Sequence, residues 1–374
     1  MKRIWRIRNG IARISLANKR FFRLLKEEIN NKFFPLKIKN NIILIESISE
    51  KKEKNKPIFF ASACVDQEKS GSWKYNGGIK ELNYLVKLLR EKGYEAYMVT
   101  YDGKYEKWLI EHQPHISIQE FKEIMKENKN TRCITSWAAA QAFIDECDEI
   151  FFWDMELLYS EHKHYSLIAK LYRNKKIKKT AAISRTIQAW HMANFEKKCL
   201  TLPNLIDLHT WQPAELKRQP KKIGYMDEGD HTDEYIQIIK NKTKGLNLKF
   251  QLIQGYEEDI LTQMQSCEIF LNLNKGKDDF WGEGCPRTII EAMATGCISI
   301  SFDVIGNKEM IIDNFNGFII PRYRPDLMAT KINYLFDNPE TIDTIRKNTK
   351  KILDSSHSFK ARWPIVKEFL ELPE

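Results

Sequence analysis

Phe280-Trp-Gly-Glu-Gly-Cys-Pro-Arg-Thr-Ile-Ile-Glu-Ala-Met-Ala-Thr-Gly296 decides how the rest of this chain is read. Proline suits the first position of a helix and glycine the residue just past its end, so Pro286 and Gly296 bracket a helix over roughly 286–295. The loop Gly282–Cys285 then delivers its backbone N–H groups at a helix N-terminus, which favours an anion. Glu283 stands in that loop and Glu291 follows it by eight residues, inside the helix. Phosphate would repel a carboxylate, so these two suit neutral hydroxyls on either side of a phosphate group. A nucleotide sugar has that layout, with ribose at one end and hexose at the other.

Outward from this stretch the chain alternates strand and helix patterns. After Leu202-Pro203-Asn204 the expected order is strand 222–226, helix 233–244, strand 249–253, helix 257–265, strand 269–272, the helix already described, strand 297–302 and strand 318–320. Before it, strands are expected at 58–63, 94–100, 132–135, 149–153 and 180–184. The first is followed by a helix at 79–92 with Ile79, Leu82, Leu85, Val86 and Leu89 on one stripe and Gly93 as its stop. Such punctuation predicts parallel sheets covered on both faces, hence an α/β chain of two Rossmann-like domains facing a cleft. Ligands in such sheets bind at the carboxyl ends of the strands.

At this point the sequence resembles glycosyltransferase family 4, whose signature is E-x7-E. The likeness extends through Ala292-Met293-Ala294, Gly296, Gly306-Asn307, Glu309 and Asn316-Gly317. Upstream, Leu202-Pro203-Asn204-Leu-Ile-Asp207 resembles the family's interdomain segment with Leu205 in place of glycine, and Asn76-Gly77-Gly78-Ile79 resembles its Gly-Gly loop. The resemblance covers roughly 57–370 and implies the GT-B fold. It divides the chain into a basic extension and linker (1–56), an acceptor domain (57–203, joined by a returning C-terminal helix within 356–374) and a donor domain (204–355). It implies that Glu283 contacts the donor sugar and Glu291 the ribose. Gly77 and Gly78 would close over the donor phosphates, with Gly284, Cys285 and Thr288 contributing at the helix start. Arg185, in Ser184-Arg185 after a strand, is a further phosphate or acceptor contact, or else an exposed residue behind a capping serine. The implied activity is a retaining, hexosyl-type transfer from a nucleotide sugar to a surface glycan or lipid-linked acceptor, as in lipopolysaccharide or capsule biosynthesis.

One segment departs from that pattern. Where the family carries an Arg and a Lys for the diphosphate, this chain has Asp227, Glu228, Asp230 and His231. A diphosphate leaving group needs positive charge. Arg287 could supply it; Asp227, Asp230 and His231 could hold a divalent metal; or the protein could be a weak or inactive GT-B binding or scaffold protein. No cofactor or metal site is expected, and Mg²⁺ is allowed for without being expected. Trp153-Asp154-Met-Glu156 ends a strand and could hydrogen-bond acceptor hydroxyls, but reads first as a core tryptophan with exposed acids; His162, His164, His191 and His209 read as incidental. Nothing resembles a nucleophile elbow, P-loop or zinc set.

Composition bounds the remainder. The 374 residues are 43% hydrophobic and 29% charged, which excludes a disordered or collagen-like chain, and two domains suit the length. No run approaches the ~18 apolar residues of a spanning helix. Seven cysteines without a CxxC pair argue against a disulfide framework. The net charge of +10 resides wholly in residues 1–40, which hold 12 basic and 2 acidic residues. There Ile4, Ile7, Ile11, Ile14, Phe21 and Leu25 recur at helical steps between arginines and lysines. This pattern suits a helix lying on an anionic membrane surface, where each cation contributes on the order of 1 kcal/mol. A helix packed on the protein and a nucleic-acid arm are the other readings, and no nucleic-acid recognition fold accompanies the latter. A cytoplasmic, peripheral-membrane location follows as an expectation.

Overall fold

A computed structural model describes residues 56–373 apart from 63–76, 129–130, 137–138, 141–142, 156–164, 196, 215–216, 230 and 275–283. The basic segment 1–40, Glu283 and Asp230 therefore lie outside the described residues. Two parallel sheets organise the rest. The first contains β1 (Ile58–Ala61), β2 (Ala96–Thr100), β3 (His115–Ser117), β4 (Arg132–Thr135), β5 (Glu149–Asp154), β6 (Ile177–Ala182) and β7 (Cys199–Thr201), in the order β3-β2-β1-β4-β5-β6-β7. The second contains β8 (Lys222–Tyr225), β9 (Lys249–Leu252), β10 (Ile269–Asn272), β11 (Ile298–Phe302) and β12 (Phe318–Ile320), ordered β12-β11-β10-β8-β9.

Period-two alternation shows why these runs are strands buried on both faces. In β1, Ile58 and Phe60 join one core with Met98, Ile134 and Phe151, while Phe59 and Ala61 join another with Val99, Cys133 and Phe152. The first core is closed by α1 (Gly77–Glu91), through Leu82, Leu85 and Leu89. The second takes Phe121 of α2 (Ile118–Glu127), which begins in a capping box between Ser117 and Glu120. Further along come α3 (Tyr165–Tyr172), α4 (Arg185–Phe195), α5 (Thr232–Lys242), α6 (Glu257–Ser266) and α7 (Arg287–Ala294).

Two helices absent from the sequence reading, α8 (Pro325–Asp337) and α9 (Pro339–Ile352), each start with proline in the first turn, as proline's fixed φ allows. Edge strands β3 and β7 were also not expected. Each is three residues long, and β3 is half-exposed throughout, so neither makes an apolar run.

The last helix, α10 (Phe359–Leu370), packs Val366, Phe369 and Leu370 into the core of the first sheet although it follows the second. A bridge between Ile206 and Ser358 ties its start to the segment joining the two sheets, and Ile206 N–H donates to the His357 carbonyl (3.0 Å). The buried His357 ring lies 3.1 Å from the Asn204 carbonyl through Nδ1. Desolvation, helped by the nearby Arg362 charge, pushes its pKa down to about 4. A ring held neutral in the fold but titrating near 6.5 when unfolded stabilises fully above pH ~6.5. That stability is lost as pH falls toward 4, an expected total of about 3 kcal/mol. Urea melts at pH 7.5 and 4.5 should show that extra loss in the parent chain relative to His357→Gln; equal losses in both would refute it.

Candidate functional site

Helix α7 begins one residue later than expected. Pro286 is the N-cap, with extended backbone (φ −64°, ψ 119°), and Arg287 is the first helical residue. Its far end closes as expected: Gly296 has φ +85°, its N–H donates to the Met293 carbonyl, and Cys297 N–H donates to Ala292. This paired 6→1 and 5→2 bonding satisfies carbonyls that would otherwise lack donors. At the start, Asn204 Nδ2 donates to the Cys285 carbonyl (2.6 Å), which fastens the loop before the helix to the interdomain segment. Gly284 lies so close to the first domain that an added Cβ would stand 2.4 Å from Ile187 Cδ1 and 3.2 Å from the Met155 carbonyl. A larger residue would have to displace the Ile187 side chain. The Cys285 thiol is buried beside Met310 Sδ (3.6 Å), so any contribution to a ligand there is its main chain. Thr288 is half-buried on the same helix.

Helix α1 of the first domain meets α7. Gly77 opens α1, and a Cβ on it would lie 3.8 Å from Arg287 Cβ; Gly78 follows in the same turn. One turn on, consecutive residues of opposite charge reach across the domain boundary. Lys80 Nζ is 2.5 Å from both Glu257 Oε1 and Glu291 Oε1, and Glu81 pairs with Arg287 Nη1. Arg287 Nε also lies 2.9 Å from Glu291 Oε1, and its Nη1 donates to the Leu205 carbonyl (2.9 Å). Glu81 Oε2 accepts from Leu205 N–H (3.0 Å), so Leu205 is clamped through both of its main-chain groups.

Glu257 also accepts from Ile110 N–H (2.8 Å) through Oε2, and its own N–H donates to the Trp108 carbonyl (2.9 Å). Aromatic rings line the cluster, with Lys80 4.4 Å above Trp211 and Arg287 4.5 Å above Tyr84. Burial, reinforced by Glu257 and Glu291, pushes the Tyr84 phenol well above its ordinary pKa. Desolvation pulls the Arg287 guanidinium down to about 10 against the pull of Glu291, which leaves it charged at neutral pH.

The expectation that Arg287 neutralises a diphosphate thus meets a geometry that commits its charge to two buried carboxylates. Arg185 is exposed at the start of α4, behind Ser184, whose hydroxyl caps the helix by accepting from Ile187 N–H (3.2 Å). The next residue, Thr186, donates through both its N–H and its hydroxyl to Glu309 Oε1 of the second domain (3.2 Å each). One sequence reading needs correction. Asp154 is fully buried, accepts from Tyr172 (2.7 Å) and meets the buried His191 Nε2 at 2.5 Å, so it is not the exposed acid expected. Trp153 is in the core as expected, with Nε1–H donated to the Leu202 carbonyl (3.1 Å).

The acidic turn is local helix chemistry. Asp227 accepts from Gly229 N–H (3.0 Å), Thr232 Oγ1 accepts from Glu228 N–H (3.1 Å), and His231 Nδ1 lies 2.8 Å from Glu234. Acids before and within the first turn of α5 also favour its dipole. A cavity of about 490 Å³ over this turn is lined by Asp227, Gly229, His231, Thr232, Asp233 and Glu234, a lining that repels phosphate. Lys80, Glu81 and Glu257 were missed by the sequence reading; a Lys-Glu pair flanked by apolar residues in a helix that starts Gly-Gly was the available signal.

Residues 223–352 match the family described as Glycosyl transferases group 1. No curated protein matches the chain. Among solved structures, a glycosyltransferase from Rickettsia africae is 17% identical with a TM-score of 0.59, over 85% of this chain and 100% of that one. Anabaena HepE in complex with UDP-glucose is 16% identical with a TM-score of 0.63, over 85% and 100%. Sucrose-phosphate synthase from Thermosynechococcus elongatus is 12% identical with a TM-score of 0.60, over 85% and 98%. The chain has the GT-B glycosyltransferase fold, two Rossmann-like domains, with the group 1 match in the second of them.

Proposed function

We propose that this protein is a retaining, hexosyl-type glycosyltransferase that moves a sugar from a nucleotide-sugar donor to a surface glycan or lipid-linked acceptor. The carrying observation is the placement of Glu291: it lies within the segment that matches the glycosyl transferases group 1 family, on a helix whose start is held against Gly77 of the other domain. Glu283 and Glu291 take the sugar and ribose hydroxyls in this reading, with the main chain of Gly77, Gly78, Gly284 and Cys285 and the side chains of Thr288 and Arg185 toward the phosphates. With no nucleophile assigned, catalysis rests on positioning and electrostatic stabilisation. The proposal keeps 57–203 with the returning helix as the acceptor domain and 204–355 as the donor domain. It also keeps residues 1–40 as the contact with an anionic membrane at its cytoplasmic face; no helix of the described residues is long and apolar enough to cross a membrane.

A second reading, a GT-B binding or scaffold protein without transfer activity, is favoured by the acidic turn together with the commitment of Arg287 to Glu81 and Glu291. The purified protein incubated with UDP-, GDP- and ADP-sugars separates the two. The transferase reading expects nucleotide release with at least one donor, and an α-linked sugar product by NMR from an α-linked donor. Donor binding without release by thermal shift supports the scaffold, and inversion at the anomeric carbon would refute the retaining assignment.

A further inference from the structure

We propose that Lys80 is a positioning residue for Glu291, a cation supplied by one domain to orient the hydroxyl-binding carboxylate of the other. The inference rests on the donor reading of Glu291. Lys80 and Glu81 are consecutive on α1, about 100° apart around the helix, and both are buried, at 5% and 1% exposure. Both can be buried because Ile79–Val86 is buried without a break, the helix lying between the two domains. The neighbours divide the work. Glu81 and Arg287 grip the main chain of Leu205 from both sides, so that pair serves the interdomain segment. The Lys80 side chain instead spans Glu257 and Glu291, on α6 and α7, and rests on the Trp211 face.

Glu291 accordingly feels two cations of different origin. Arg287 lies one turn before it on its own helix and is present whatever the first domain does. Lys80 reaches it only when α1 is seated against α7. Glu291 Oε1 lies within ion-pair distance of both, yet it has no aligned hydrogen bond among the described residues. A carboxylate offers about four lone-pair sites, and the two cations are placed on Oε1, so Glu291 can also accept from a hydroxyl. The hydroxyl-binding group is thus completed by the arrival of the first domain, which couples donor recognition to domain closure.

The test is steady-state nucleotide release by the full-length protein with whichever sugar of the UDP, GDP and ADP panel the parent chain turns over. Lys80→Met is expected to raise donor KM roughly ten-fold with kcat changed less than three-fold, the loss of a binding interaction shared by ground and transition states. Lys80→Arg, which keeps the charge, is expected to recover most of that loss. Because Lys80 acts through Glu291, adding Lys80→Met to Glu291→Gln should raise KM no further, whereas a merely structural role would add its full effect. If Lys80→Met does not fold, Lys80→Gln is read by the same criteria. An unchanged KM in the single variant, or additive effects in the double, overturns the inference while turnover by the parent chain preserves the donor reading. Absence of turnover by the parent chain overturns both.

Discussion

Arg287→Met is expected to lower stability by about 3–5 kcal/mol, the effect of removing one partner from a buried ion pair. Arg287 is 7% exposed, and its two carboxylate partners are more deeply buried, at 1% for Glu81 and 3% for Glu291. The cluster already holds three carboxylates (Glu81, Glu257, Glu291) against two cations (Lys80, Arg287). Without the guanidinium, three buried negative charges would face Lys80 alone. The Leu205 carbonyl would also lose its donor. A fall in melting temperature of roughly 5 °C follows for a chain of this size.

The cost comes from the stranded charge more than from the lost attraction, so the partner substitution should compensate. Adding Glu81→Leu to Arg287→Met replaces an ion pair by apolar side chains, which is often close to neutral. The double variant should recover more than half of the single variant's loss, less the unmade bond to Leu205 N–H. Urea melts of the two variants and the parent chain check this. A loss under 1 kcal/mol in Arg287→Met would mean that water or a proton relieves the carboxylates and that the cluster is not the dry network described.

What the sequence disclosed, and what it withheld, follows from the range of the interactions involved. β4, β10 and β12 lie at the expected residues because each is a short apolar run ended by polar or turn residues, a signal carried by neighbours in the chain. The bounds of α7 were legible from Pro286 and Gly296 for the same reason. α8 and α9 carried comparable signals, Pro325 and Pro339 ahead of apolar residues at Met328, Ile332, Leu335, Ile342 and Ile345, and these went unread. The ion cluster is different in kind. Nothing within ten residues of Lys80 indicates that its partners are Glu257 and Glu291, and charged residues inside a helix are ordinarily solvated. Asp154 was misread for the same reason: its partners Tyr172 and His191 come from α3 and α4. Spacing fixed Arg287 and Glu291 as neighbours one turn apart, but which domain would take up the arginine's charge depended on α1.

Glu291→Gln is expected to cut donor kcat/KM by roughly 100-fold if Glu291 binds ribose. A hydrogen bond to a charged group contributes about 1.5–3 kcal/mol, and each 1.4 kcal/mol is a factor of ten. Glutamine keeps the shape but presents a neutral oxygen, and it also releases Lys80 and Arg287 from one shared partner. Loss of activity by itself could therefore report disturbed packing. A donor lacking one ribose hydroxyl separates the causes. With the parent chain, the 2′-deoxy and 3′-deoxy forms of the working donor should lose affinity wherever Glu291 accepts from the missing group. With Glu291→Gln, the same deletion should cost far less, because the charged acceptor is already gone. A coupling energy of 1 kcal/mol or more between the protein and donor changes places the carboxylate on the ribose, since two changes that do not touch each other add. Additive losses would place Glu291 in the architecture of the domain boundary alone, with the hydroxyl contacts assigned elsewhere on the second domain.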